Sequence, residues 1–198
     1  MDHLVDVVAL LAAFRARNPR VDVSFEQAGS DHVMYALSRS ALDVGLVALS
    51  PLDGHDGADV DTFELCRESF VLLVPPAHRL AGQPTVGWDD LEREPFIDLG
   101  SVWLLHRIIG DAFSTRRRNR RVTMTVDDTR MLVDLVARGF GTAIVPASMA
   151  ACGQAAELPR CAVAAPELAW SVHVAVADSA GAAATALAAM MLPVGVIG

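Results

Sequence analysis

The chain has 198 residues, 53% of them apolar and 20% charged, the balance of a folded globular protein and not of a disordered one. That length suffices for one large domain or two small ones. The formal net charge is −8, and all 16 basic residues are arginine. An acidic field of this kind disfavours nucleic-acid binding by the surface as a whole.

The first stretch, MDHLVDVVALLAAF, has an apolar core like a secretion signal, yet Asp2 and Asp6 stand where a signal is positive and the first basic residue is Arg15. Leu4, Val7, Leu11 and Phe14 fall instead on one helical stripe, which Asn18-Pro19 ends. An alternating strand is predicted over Val21, Val23 and Phe25, then a helix capped by Ser30-Asp31, then a buried strand through Val44–Val47. Phe70–Val74 reads as an apolar strand closed by Pro75-Pro76. Pro95–Leu99 reads as a short strand leading through Gly100-Ser101 into a helix from Trp103 to Phe113. The run Arg116–Arg121 follows that helix, complements its dipole and is expected to stay solvated. Val122, Met124 and Val126 alternate as a strand, Asp127-Asp128 can cap the helix over residues 129–138, and Ala143–Val145 forms a strand closed by Pro146. Trp170–Val176 offers another apolar crossing, with Asp178-Ser179 as the cap of a last, alanine-rich helix. No apolar run approaches the length needed to span a bilayer. Cys66, Cys152 and Cys161 show no metal-ligand spacing and fit reduced, mostly buried thiols.

Gly139-Phe140-Gly141 invites comparison with a dinucleotide loop. That loop requires strand, then glycines, then helix. Here the helix comes first and a third glycine is missing, so Gly139 reads as a helix C-cap in the left-handed conformation.

The two halves of the chain resemble each other. Each has an apolar helix ending in a basic cluster, an alternating strand, a polar pair, a second helix and a buried strand, at an offset of about one hundred residues, too long for a solenoid repeat. This order predicts two α/β lobes with largely parallel sheets. Strands 70–74 and 170–176 would join them as a hinge with a cleft between. Pro95–Leu99 has no counterpart before the first helix, so the comparison predicts a strand upstream of Met1.

Catalytic signals are weak. Ser30-Asp31-His32 holds the letters of a hydrolase triad, but adjacent residues do not converge in triad geometry. Neither a Gly-x-Ser-x-Gly elbow nor a His-Glu-x-x-His helix occurs. No catalytic, cofactor or metal set is read. A binding site is better supported: Gly100-Ser101, between a strand and a helix, can turn backbone N–H groups and a hydroxyl toward a carboxylate. Ser101 is equally well read as a simple N-cap. Trp103 is either an apolar wall or part of the core.

In combination, Phe14–Val23, Ala41–Val47, Arg67–Ala81 and Val136–Pro146 resemble the effector-binding domain of LysR-type transcriptional regulators. The resemblance implies a type 2 periplasmic-binding-protein fold: two Rossmann-like α/β lobes, joined by two crossover strands, with a ligand cleft between them. Lobe I would comprise residues 1–74 with 167–198, and lobe II residues 75–166. It places Gly100, Ser101 and Val102, Thr129, Leu49, Ser50 and Pro146 at the effector. The implied partners are a small organic, anionic effector and a second copy of the chain, with a tetramer in the full-length protein. The first helix and strand, residues 4–25, would meet residues 103–126 of the other copy. DNA would be bound only through a winged helix-turn-helix absent from this sequence, and the setting would be cytoplasmic. Two departures stand out. Arg79 follows His78 where the family usually has proline. The first strand of lobe I is also missing, as if the chain were a fragment or its start were set too far downstream. A solute-capture protein of the same fold is the alternative, disfavoured by the lack of a signal. An enzyme on this fold is disfavoured by the lack of paired acid–base residues.

Overall fold

A computed structural model describes residues 5–50, 59–101, 103–165 and 168–192. In chain order the helices are α1 (Val7–Arg17), α2 (Ser30–Ser38), α3 (Trp88–Leu91), α4 (Leu104–Thr115), α5 (Thr129–Ala137), α6 (Ala147–Ala150) and α7 (Ala182–Met191). The strands are β1 (Val44–Leu49), β2 (Val60–Leu73), β3 (Thr85–Val86), β4 (Pro95–Leu99), β5 (Arg121–Val126), β6 (Ala143–Pro146), β7 (Arg160–Val163) and β8 (Ala169–Ala177). Two compact units divide the chain: residues 1–67 with 170–198, and residues 68–169. The long strand β2 runs from the first unit into the second, ten residues longer at its start than the apolar run 70–74 suggests.

In the first unit β1 pairs antiparallel with β8, Val44 opposite Val176 and Leu49 opposite Ser171, and β2 lies beyond β8. Helix α2 packs Val33 and Leu37 onto Val47 and Leu49. The approach is close, since a Cβ on Gly45 would stand 2.5 Å from Val33 Cγ1. On β8, Val174 and Val176 pack with Ala188 of α7.

In the second unit β5 and β4 pair in parallel. A parallel bridge between Phe96 and Thr142 joins β4 to β6, with Ile97 N donating to Thr142 O at 2.9 Å and Thr142 N to Pro95 O at 2.8 Å. Strand β6 pairs antiparallel with β2, which also pairs with β7. Phe113 anchors this unit, edge-on to Trp88 at 5.1 Å and to Phe96 at 5.7 Å between ring centres.

The two glycines of the helix–strand break serve the chain. Gly139 has φ +84°, the left-handed C-cap its position predicts. Gly141 is required by proximity, because a Cβ there would lie 2.8 Å from Pro95 O.

Several expectations are corrected. Residues 21–25 form no strand, although the equivalent 121–126 do. The physical difference is the partner: β5 has β4 to bond to, and the described residues place no strand beside 21–25. Pairing is not largely parallel, because the crossing strands β2 and β8 run against their neighbours. Ser30 does not cap α2, whose N-cap is Gly29; its Oγ accepts from Ala48 N at 3.0 Å. Asp178 and Ser179 lie in a turn before Gly181, which is the N-cap of α7. The arginine run is solvated only in part: Arg116, Arg117 and Arg121 are exposed, whereas Arg118 pairs with Asp89 at 2.7 Å and Glu92 at 2.8 Å, and Arg120 is buried against Asp98. Arg79, the departure from the family pattern, meets the buried carboxylate of Glu94 together with His78. The cysteines are free thiols, Cys161 buried and the other two half-buried.

Candidate functional site

Three parallel strands of the second unit end side by side. Carboxyl ends of such strands are where α/β sheets present loops to ligands, because helix N-termini and open N–H groups gather there. Beyond β4 come Gly100 and Ser101; beyond β5 come Asp127 and Asp128; β6 ends at Pro146. Gly100 N donates to Val126 O at 2.9 Å, which ties the first two loops together. The Asp127 carboxylate leans over Gly100 so closely that a Cβ there would fall 2.3 Å from its Oδ1.

Ser101 is exposed in the turn before α4 and is not its N-cap. The cap is Trp103, which has no side-chain bond to offer, so the first turn of α4 keeps its N–H groups uncapped by a side chain. Trp103 therefore begins the helix and does not sit one turn inside it. Thr129 opens α5, half-buried, behind Asp128, whose Oδ1 accepts from Arg130 N at 2.6 Å and Met131 N at 3.4 Å. Pro146 is buried opposite Phe70. Val102 lies outside the described residues.

Leu49 and Ser50 belong to the first unit. Both are buried, at the carboxyl end of β1. The expected contacts thus form two sets: Gly100, Ser101, Thr129 and Pro146 in one unit, Leu49 and Ser50 in the other.

Polar residues near these loops escaped the sequence reading. Beneath the β4 loop, Asp98 lies 2.7 Å from Arg120 Nη2 and 3.2 Å from His106 Nδ1. Burial pushes the Asp98 carboxyl above its ordinary range, against the pull of Arg120 and His106, and burial pulls the Arg120 guanidinium down. The signal was a lone Asp in an otherwise apolar strand. Opposite Leu49, Ser171 is buried, with its Oγ 2.8 Å from His173 Nε2. Their signal was two polar residues at alternate positions of an apolar crossing strand. Among the described residues, no group of three His, Cys, Asp or Glu side chains is placed to hold a metal.

A two-unit α/β fold with open loops at strand carboxyl ends suits a small-molecule binding domain. The family model described as "LysR substrate binding domain" matches residues 5–194, and the chain belongs to this family. The probable HTH-type transcriptional regulator LrrA of Synechococcus elongatus is 32% identical over 136 residues, 69% of this chain and 44% of LrrA. The chain spans less than half the length of the curated relatives it matches. Among solved structures, the effector-binding domain of QuiR in complex with shikimate superimposes with a TM-score of 0.72 at 19% identity, covering 94% of this chain and 88% of that one. The CcmR regulatory domain of Synechocystis PCC6803 in complex with 2-PG gives a TM-score of 0.76 at 17% identity, covering 93% and 89%. At such identities these structures establish the fold, which is that of LysR effector-binding domains and resembles type 2 periplasmic binding proteins.

Proposed function

We propose that this domain binds a small organic anion and thereby controls transcription through a DNA-binding region carried elsewhere in a longer polypeptide. The observation that carries this reading is the uncapped first turn of α4 beside the exposed Ser101 hydroxyl, at the joint edge of β4, β5 and β6. Uncapped N–H groups and the positive end of a helix favour a carboxylate or phosphate. Gly100, Ser101, Val102, Thr129 and Pro146 would contact it from the second unit, Leu49 and Ser50 from the first. The neighbouring structures carrying shikimate and 2-PG support a small-molecule effector. The domain acts as a cytoplasmic binder, not a catalyst, and selects between domain arrangements by its differential affinity for them.

Calorimetry against a panel of small carboxylates and phosphate esters tests the reading. Ser101→Ala should weaken binding of the cognate anion by about 1 to 3 kcal/mol, the cost of losing a hydrogen bond to a charge. Asp127→Asn should tighten binding, since it removes a like charge beside Gly100. Affinity unchanged in both variants would refute the assignment of this loop.

A further inference from the structure

Beneath the β4 loop, three side chains form a charged cluster separate from the loop residues assigned above. Asp98 is the last residue but one of β4 and stands two residues before Gly100. Arg120 meets its carboxylate twice, with Nη1 donating to Oδ1 at 3.1 Å and Nη2 lying 2.7 Å from Oδ2. His106 is the third member, with Nδ1 3.2 Å from Asp98 Oδ2.

The place of His106 connects this cluster to the loop. It stands in the first turn of α4, whose N–H groups have no side-chain cap, and Leu104 and Leu105 before it carry no charge. Its Nδ1 is closed off from solvent and finds no hydrogen-bond partner among the described residues beyond the approach of the Asp98 carboxylate. A ring lone pair turned toward a carboxylate would be repelled, so Nδ1 carries the proton. A third of the side chain, 34%, reaches solvent, which lets a further proton come and go without unfolding. With Asp98 ionised and Arg120 charged those two cancel, and the imidazole decides whether the cluster is neutral or positive. Burial pushes Asp98 above its ordinary range, so protonation of the carboxyl is a second route to positive charge. The titration of such a pair belongs to both groups together.

The charged groups of the elements packed here are Asp98 on β4, Arg120 ahead of β5, Arg107 and Asp111 on α4, and Arg130 and Asp134 on α5. Among the described residues only Asp98 makes an ion-pair contact with His106. Beyond β5, Asp128 is engaged with Arg130 N and Met131 N, whereas Asp127 leans over Gly100 and opposes an anion at this edge.

On the reading of the β4–α4 loop as an anion site, we propose that His106 is the positioning residue that sets its charge: an anion bound at the first turn of α4 draws a proton onto the Asp98–His106 pair. The two charges attract across one helical turn, where a partly buried setting weakens the screening by water. Linkage makes the effect reciprocal, so a proton on the pair favours the anion to the same degree. The bound state holds more protons than the free one. Affinity therefore rises as pH falls through the titration of the pair and is lost as pH rises. A dianion, such as a phosphate ester or a dicarboxylate, gains more from this charge than a monocarboxylate.

The test is calorimetry of sulfate binding to the 198-residue chain, in two buffers of different ionisation enthalpy, between about pH 5.5 and 8. Sulfate keeps its charge over this range, so a proton taken up enters the protein. Uptake of a fraction of one proton is expected, with affinity falling by up to about tenfold per pH unit as the pair loses its proton. The ring resonances of His106 should move toward the protonated form as sulfate is added at fixed pH. His106→Gln, which has no titrating ring, should abolish the uptake and flatten the pH profile. Ser101→Ala should weaken sulfate at every pH and leave the uptake in place, because it removes a contact and not a charge. Binding without proton uptake, or with His106 resonances unmoved, overturns the proposal and leaves the anion site standing. Uptake that persists in His106→Gln also overturns it and assigns the proton to another group, Asp127 first. No sulfate binding at millimolar concentration, at any pH in the range, removes the anion site itself and both readings with it.

Discussion

Asp98 and Arg120 form the most demanding pair in the second unit, with side chains 4% and 9% exposed. Replacing either one strands the other in a poorly solvated place, so Arg120→Met should destabilise the domain by about 3 to 5 kcal/mol. Asp98→Asn combined with Arg120→Met should cost less than the sum of the single changes, and urea titration of the four proteins measures the coupling. Additive losses would show that the pair does not act as a unit. At the surface the sign is different. Arg118 and the backbone N–H of Asn119 hold the Glu92 carboxyl below its ordinary value of 4.5. A group with a depressed folded pKa stabilises the fold above its unfolded value and loses that contribution as pH falls through the folded one. The contribution of Glu92 is therefore present at pH 7 and disappears below about 4.5. Glu92→Gln should lower the urea midpoint at pH 7 and match the parent protein at the acid end. A constant difference at all pH values would remove Glu92 from the account. Asp98 acts in the opposite sense: its raised pKa favours the fold as pH falls through the interval above 3.8.

At the scale of elements, α1 with residues 18–26 and α4 with β5 come from similar sequence and reach different structure. Both helices carry a buried phenylalanine, Phe14 and Phe113. Only the second is followed by a paired strand, and a strand without hydrogen-bonding neighbours has no ladder to offset its ordering entropy. Backbone amides in residues 20–49 should therefore exchange faster than those in 95–146, by hydrogen exchange on the chain alone. Uniformly strong protection in a monomer would contradict this. The contrast has a counterpart in glycine use. Gly141 is fixed by the approach of β4, whereas Gly45 is fixed by Val33 of α2.

On the scale of the molecule, large apolar side chains remain in solvent on the two matched segments: Val8 at 79%, Phe25 at 67% and Val122 at 36% exposure. Exposed apolar groups on two segments of one chain suit an isologous pairing in which each meets the other twice. We expect a homodimer that joins residues 4–25 of one copy to residues 103–126 of its partner. Sedimentation should show dimer at micromolar protein, and Val122→Glu should shift it toward monomer. A monomer at high micromolar concentration would rule this assembly out.

Local chemistry is decided by neighbours along the chain, and it was legible. The apolar stripe of 129–138, the left-handed Gly139, the Asp128 cap and the strands at 95–99 and 143–146 all follow from spacing and conformational preference. So did the family, carried by Phe14–Val23, Ala41–Val47, Arg67–Ala81 and Val136–Pro146. The rest depended on partners distant in sequence. Val21–Phe25 has the alternation of a strand, but a strand exists only where another supplies its bonds. Ser30 looked like a cap until Ala48, eighteen residues on, claimed its oxygen. Arg120 sat in a run that reads as solvated, and only folding brings it to Asp98, because a buried carboxylate calls for a counter-charge. Ser101 kept its place in the loop and lost its capping role, since the chain turns once more before α4 begins at Leu104. Propensity and periodicity are short-range properties of the sequence, whereas pairing, burial and charge compensation belong to the tertiary structure.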